Sequence, residues 1–298
     1  MKKIDIHIHT EEHSIQIGEK RIPSVDELAN SIYEDLNVDK AILMTTIDNN
    51  CSDPATLEKL CDEANKRSCE LATKYKDLLY WFCYVDPRIG SNSAETDFSP
   101  YLEKYKKMGA KGLGEIFANI YFDDPRVENL LSYCEKYDMP ILFHLSPEVG
   151  GPYGIVDDLG LPRLEKMLKK FPNLKFIGHS QVFWSEISTD VTEENRNGYP
   201  TGPVNPGRVV ELLRKYPNLY ADLSAGSGYT AISRDVSFGY SFLEEFQDRL
   251  MYGTDYLIPR GDIRLTEFLD SAVEQGKISR EAYEKIVRKN AIKILNLN

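Results

Sequence analysis

The chain has 298 residues, 42% of them hydrophobic and 28% charged, with a formal net charge of −11. This is an ordinary soluble composition with enough apolar residues for a sizeable core, and its acidity argues against a nucleic-acid backbone as partner, which needs clustered Lys and Arg. No apolar run reaches the roughly 18 residues of a membrane span, and five cysteines without C-x-x-C spacing read as reduced, packed thiols, so a cytoplasmic protein with no membrane partner is expected.

The first predicted strand is IDIHIHT at 4–10. A period of two sends Ile4, Ile6 and Ile8 to one face and Asp5, His7 and His9 to the other, which lets two imidazoles converge on one ion. A loop at 11–23 follows and carries His13. Ser24 then stands three residues before Glu27, a capping box opening an amphipathic helix over VDELANSIYEDL. DKAILMTT at 39–46 reads as the second strand, 53–76 as a long helix, and LLYWFCYVDPR at 78–88 as a strand buried on both faces and ended by Pro87.

From there helix and strand alternate. Helix 97–108 leads into AKGLGEIF, helix 124–137 into MPILFH, helix 160–170 into LKFIGH, helix 206–216 into LYADLSA and helix 237–248 into RLMYGTD. Helices at 262–275 and 279–296 close the chain. Eight strands alternating with helices predict an α/β protein, a (β/α)8 TIM barrel formed as a single domain over 1–298. An open doubly wound sheet is the alternative, but no Gly-rich phosphate fingerprint follows the first strand. Long insertions after strands 5 and 6, at 145–160 and 180–207, leave the C-terminal face of the barrel and read as lid loops. Contact with a second copy in a homo-oligomer is their other reading.

Only five histidines are present, and His7, His9, His144 and His179 all lie in or at the ends of predicted strands, as does Asp255. Imidazole mixed with carboxylate suits a borderline divalent metal such as zinc. Arg88 is either an anchor for a substrate carboxylate or one partner of a salt bridge at a turn, and Arg260 has the same two readings. Phe183, Trp184, Tyr153 and Tyr229 are candidate pocket walls, Asp222 reads as a barrel-interior polar residue, and Ser180 and Ser224 show no triad pattern.

These residues carry a resemblance. HIH in the first strand, histidines ending the fifth and sixth and an aspartate ending the eighth look like the amidohydrolase superfamily of metal-dependent barrels. VDPR at 85–88, FPNLKFIGHS at 171–180, YPNLYADLSA at 216–225, RLMYGTDY at 249–256 and VRKNAIKILNL at 287–297 resemble the branch that includes aminocarboxymuconate-semialdehyde decarboxylase. The resemblance implies that His7, His9 and His144 bind the metal and that Asp255 completes the site and handles the proton of an activated water. It makes His179 either a ligand of a second ion or the residue that orients that water. GLGEI resembles the fourth-strand glutamate of TatD-like deoxyribonucleases, which implies that Glu115 bridges two ions, whereas the decarboxylase-like members have no such ligand; its other reading is a carboxylate that orients a metal-bound imidazole or contacts the substrate beside a single ion.

The expected activity is hydrolysis of a small polar, carboxylate-bearing substrate such as a lactone, ester or amide, with one or two divalent ions, zinc first. The alternative is non-oxidative decarboxylation of an unsaturated or aromatic carboxylate. A binding protein with a structural metal is disfavoured, because structural zinc sites are closed by Cys and His.

Overall fold

The N-terminal segment extends because Ile4, Ile6 and Ile8 place a β-branched side chain at every second position, and it forms the strand Lys3–Ile8 (β1). The computed structural model describes residues 1–10, 24–47, 51–255 and 263–297; His13 and Arg260 lie outside the described residues. Along the chain follow Val38–Met44 (β2), Leu79–Phe82 (β3), Leu113–Ile116 (β4), Ile141–Ser146 (β5), Ile155–Val156 (β6), Phe176–His179 (β7), Leu219–Asp222 (β8) and Leu250–Met251 (β9). Eight of these are the strands expected from the sequence. The two-residue β6, inside the first insertion, is an addition.

All paired strands run parallel. They form two runs, β1-β2-β3 and β4-β5-β7-β8-β9, with β6 beside β5. Backbone hydrogen bonds join the runs at both seams. Past the end of β3, Cys83 bridges Leu113 in parallel; its N–H donates to the Gly112 carbonyl and its own carbonyl accepts from Gly114. At the other seam Ile6 donates to the Tyr252 carbonyl at 3.1 Å, and Asp255 donates to the His7 carbonyl at 2.8 Å. The eight principal strands therefore close on themselves as a (β/α)8 barrel.

The helices start where their caps predict. Ser24 accepts from the Glu27 N–H while the Glu27 carboxylate accepts from the Ser24 N–H, so the expected capping box is present. Asp53 and Asp124 cap the helices Pro54–Lys74 and Pro125–Lys136, each with proline at the first helical position. Two apolar layers result. Inside the barrel Ile4, Ile6, Ile42, Met44, Phe82, Leu142, Ile177 and Met251 pack together, closed from below by Ala291, Ile294, Leu295 and Leu297. A larger layer fills the space between strands and helices.

β1 departs from simple alternation. Its register against β2 shifts between Asp5 and Ile8, so Ile4 and Ile6 point into the barrel while Ile8 joins the outer layer. Asp5 does not share the histidine face. Its carboxylate accepts from the Tyr33 hydroxyl at 3.2 Å, the Thr254 hydroxyl at 2.6 Å and the Thr254 N–H at 2.9 Å. Asp5 thus ties β1 to the segment that carries Asp255, and burial raises its pKa to about 7 against these hydrogen bonds.

The two insertions sit on one end of the barrel and brace each other. The Glu186 carboxylate accepts from the Gly160 N–H at 2.8 Å, and Arg208 Nε donates to the Gly160 carbonyl at 2.8 Å. All five cysteines are free thiols, Cys61, Cys83 and Cys134 being buried. Among the described residues no helix is long and apolar enough to cross a membrane.

Candidate metal centre

The C-terminal ends of five strands converge on one cluster. From β1 come His7 and His9, whose Nε2 atoms approach to 3.1 Å. From β4 comes Glu115, from β5 His144, from β7 His179, and from the segment after β9 comes Asp255. All six residues predicted as metal ligands are brought together.

The two carboxylates each turn one oxygen toward a different set of nitrogens. Glu115 Oε2 lies 3.5 Å from His9 Nε2 and 3.7 Å from His7 Nε2. Its Oε1 lies 2.5 Å from His144 Nδ1 and 3.8 Å from His179 Nε2. Asp255 Oδ1 faces His9 Nε2 at 3.4 Å and His7 Nε2 at 3.6 Å, while its Oδ2 faces His179 Nε2 at 3.6 Å. The donor groups that result include one of His7, His9 and Asp255 and another of Glu115, His144 and His179.

Behind this layer sits Asp222 at the end of β8, fully buried. Its Oδ2 lies 2.7 Å from His7 Nδ1 and 3.1 Å from His179 Nδ1, and it accepts from the Ser224 hydroxyl at 2.7 Å. This contact assigns the Nδ1 proton of His7 and leaves Nε2 as a lone-pair donor facing the cluster. The sequence reading placed Asp222 in the barrel interior but missed this role; its signal is a carboxylate ending a strand beside others that end in histidines. Carboxylates that orient metal-bound imidazoles in this way typically affect metal affinity 10–100-fold.

The electrostatics favour a cation. Burial opposes charge on His7, but Asp255 and Asp222 outweigh it and hold its pKa well above the ordinary value. His9 is raised against the same burial penalty by Asp255 and Glu115. Burial also works against ionised Glu115, yet His144 and the other imidazoles pull its carboxyl well below the usual range, and Asp255 is lowered likewise by His7, His9 and His179. A buried site whose carboxylates raise the proton affinity of its imidazoles attracts a divalent ion by the same field.

The donor set fits such an ion. Four tetrahedral donors at about 2.1 Å from a metal stand about 3.4 Å apart, and the separations among His7, His9, Glu115 Oε2 and Asp255 Oδ1 given above lie between 3.1 and 3.7 Å. Nitrogen and oxygen donors without thiolate suit zinc or manganese, with no requirement for a soft metal.

A family model described as Amidohydrolase matches residues 4–297. The chain belongs to the amidohydrolase family. No curated protein sequence matches this amidohydrolase significantly. Its fold is similar to that of 2,6-dihydroxybenzoate decarboxylase from Rhizobium, with 16% identity, 99% of each chain covered and a TM-score of 0.65. A dihydroxybenzoic acid decarboxylase from Polaromonas sp. JS666, solved with manganese and the inhibitor 2-nitroresorcinol, gives 18% identity, 100% and 97% coverage and a TM-score of 0.66. A probable 2-pyrone-4,6-dicarboxylic acid hydrolase from Acinetobacter baumannii, with citric acid bound, gives 13% identity, full coverage of both chains and a TM-score of 0.58.

The other residues singled out in the amidohydrolase sequence have different fates. Arg88 is held by its neighbour Asp86, with Nε donating to Oδ1 and Nη2 to Oδ2, both at 2.8 Å. That ion pair is the turn salt bridge, and no contact between Arg88 and the cluster is present among the described residues. Ser224 donates to Asp222 and is fully buried, and Ser180 accepts from the Leu145 and Phe183 N–H groups. Phe183 and Trp184 are buried in the outer layer, and Tyr229 packs edge-on to Phe268. Of the four aromatic candidates Tyr153 reaches the cluster, its ring centroid 4.5 Å from that of His144.

Proposed function

We propose that this amidohydrolase is a metal-dependent enzyme that removes carbon dioxide from a small unsaturated or aromatic carboxylate. The observation that carries the metal-dependent reading is the convergence of four imidazoles and two ionised carboxylates at the C-terminal mouth of a closed barrel. Decarboxylation moves ahead of hydrolysis because two of the three structural neighbours described above are decarboxylases of hydroxylated benzoates. The pyrone hydrolase keeps hydrolysis as the second reading.

His7, His9 and Asp255 would hold one ion, and Glu115, His144 and His179 offer a second position that shares Glu115. A divalent ion held there would polarise a substrate oxygen and offset the negative charge that gathers on it. Manganese is supported by the Polaromonas neighbour, and zinc by the donor set. Loss of carbon dioxide breaks a C–C bond and leaves its electron pair on the substrate carbon, which must gain one proton. Asp255, ionised and facing three imidazoles, is placed to take that proton from solvent and pass it to the carbon. His179 is fixed through Nδ1 by Asp222, which turns its Nε2 toward Asp255 Oδ2; with one ion bound that nitrogen would be free to exchange a proton with Asp255, and with two it would be a ligand. In hydrolysis the same carboxylate would take the proton of water and deliver it to the leaving group.

The test is a product assay with manganese- and zinc-loaded protein over hydroxybenzoates, unsaturated dicarboxylates and lactones. Carbon dioxide released in equal amount to the decarboxylated product is expected. Ring opening of a lactone with no carbon dioxide from any carboxylate would move the assignment to hydrolysis.

Glu115 sets the number of ions. A shared carboxylate partly offsets the repulsion between two cations about 3.5–4 Å apart, so the second ion depends on it more than the first. Saturated wild-type protein should hold about two equivalents and Glu115→Gln about one. Elemental analysis after desalting decides this, and one equivalent in the wild type would remove Glu115 from the bridging position.

A further inference from the structure

Next to the cluster, the segment 147–154 that follows β5 is tied down mainly by one side chain. Asn119, in the loop after β4, accepts from the Gly150 N–H through Oδ1 at 2.6 Å. Its Nδ2 lies 2.9 Å from the Pro152 carbonyl, 3.1 Å from that of Glu148, 3.2 Å from that of Gly154 and 3.3 Å from Ser146 Oγ. Ser146 adds a second tie, donating to the Pro152 carbonyl at 2.7 Å, and the Gly154 N–H donates to the Phe117 carbonyl at 3.0 Å. Five backbone groups of an otherwise exposed loop are thus gathered on two side chains and one carbonyl.

The tied segment passes directly over a cluster residue. Gly154 has φ +124°, and a Cβ added there would lie 2.9 Å from both Cδ2 and the carbonyl oxygen of His144. That approach requires glycine, because no other residue brings its backbone so near an imidazole edge. One residue earlier, the Tyr153 ring lies against His144 and edge-on to Phe117, with centroids 6.4 Å apart and planes at 88°. Phe117 in turn stacks on the buried Tyr84 at 4.4 Å. The His144 imidazole is therefore held between Glu115, through Nδ1, and a tyrosine whose place depends on the loop.

We propose that Asn119 is a positioning residue: it fixes segment 147–154, and through Tyr153 it sets the orientation of His144 and one wall of the substrate site. The part concerning metal rests on the reading of His144 as a ligand. The part concerning the loop does not. Asn119 donates and accepts at once, so its two functions separate by mutation. Aspartate retains the acceptor for Gly150 but offers no N–H to the three carbonyls, and alanine removes both.

The experiment uses the full chain with and without zinc. Amide hydrogen exchange of the non-proline residues of 147–154 and the His144 ring-proton shifts are read in wild type, Asn119→Ala, Asn119→Asp, Tyr153→Phe and Tyr153→Leu. Asn119→Ala should speed exchange across the segment by about tenfold or more. It should also move the His144 shifts toward those of Tyr153→Leu, which has no ring current. Asn119→Asp should keep the Gly150 amide slow while the His144 shifts still move, and Tyr153→Phe should match wild type. Zinc capture by a chelator should be faster from Asn119→Ala than from wild type. Unchanged exchange and shifts in Asn119→Ala would overturn the clamp. Faster exchange with unchanged His144 shifts and unchanged zinc release would overturn the positioning role and leave the loop merely structural. A wild type that takes up no zinc or manganese would instead count against the metal-dependent function, while exchange and shifts would still decide the clamp.

Discussion

Replacing His7 and His9 together by alanine should remove most of the bound metal and all detectable turnover. Each imidazole turns Nε2 toward both Glu115 and Asp255, so the double variant leaves the buried Glu115 and the partly buried Asp255 with two of the four imidazoles around them gone. Removing a residue that only orients a ligand already lowers metal affinity 10–100-fold, so removing two ligands should exceed about 100-fold. The fold should survive, because the interior packing of β1 rests on Ile4 and Ile6 and its seam on backbone hydrogen bonds. Elemental analysis together with circular dichroism checks the expectation. Full metal content in a folded double variant would exclude the two histidines as ligands.

The strands were legible because burial on two faces leaves little room for polar residues. MPILFH, LKFIGH and RLMYGTD show as apolar runs that end abruptly in a polar residue, and those endings are the cluster. The helices were legible from their alternation with the strands, and the first of them from its capping box at Ser24. What failed was local. The face assignment of Asp5 assumed unbroken alternation, whereas the register of β1 shifts between Asp5 and Ile8, a feature set by pairing with β2 that no property of IDIHIHT displays. The helix Ala225–Ser233 was not expected, since its sequence AGSGYTAIS carries two glycines and no apolar period. It is imposed by the fold around it.

The same division holds at the centre. Residues that would touch a metal were found from residue type and strand position together. Asp222 was not assigned its role because a carboxylate that orients imidazoles has no spacing of its own in the sequence. Its partners His7 and His179 stand 215 and 43 positions away, and only barrel closure brings them together. Arg88 is the opposite case. Its partner is Asp86 of the same VDPR motif, two residues back, a short-range fork geometry that the sequence does allow. Asn119 was invisible, because an asparagine that collects the carbonyls of a loop looks like any loop asparagine until the loop is seen.

Replacing Asp255 by asparagine should remove nearly all turnover while keeping the fold and much of the metal. The backbone argues that the substitution is tolerated: Asp255 has φ +52°, a left-handed conformation in which asparagine is as acceptable as aspartate. Its N–H donation to the His7 carbonyl, part of the barrel seam, does not involve the side chain. The amide oxygen can still face His9, but it carries no charge and accepts no proton at neutral pH. Removing one positioned proton carrier of this kind typically costs 10²–10⁴ in rate, so a fall of about 10³ is expected at saturating metal. Saturation matters, since the loss of one anionic oxygen also weakens the hold on a cation, and only a rate measured with the site filled separates the two effects. The distinction is sharpest against Glu115→Gln, which should change the amount of metal bound first and the rate as a consequence. A near-normal rate in metal-saturated Asp255→Asn would remove Asp255 from proton transfer, leaving it a ligand only, and would pass that role to His179, whose Nε2 faces the same carboxylate oxygen at 3.6 Å.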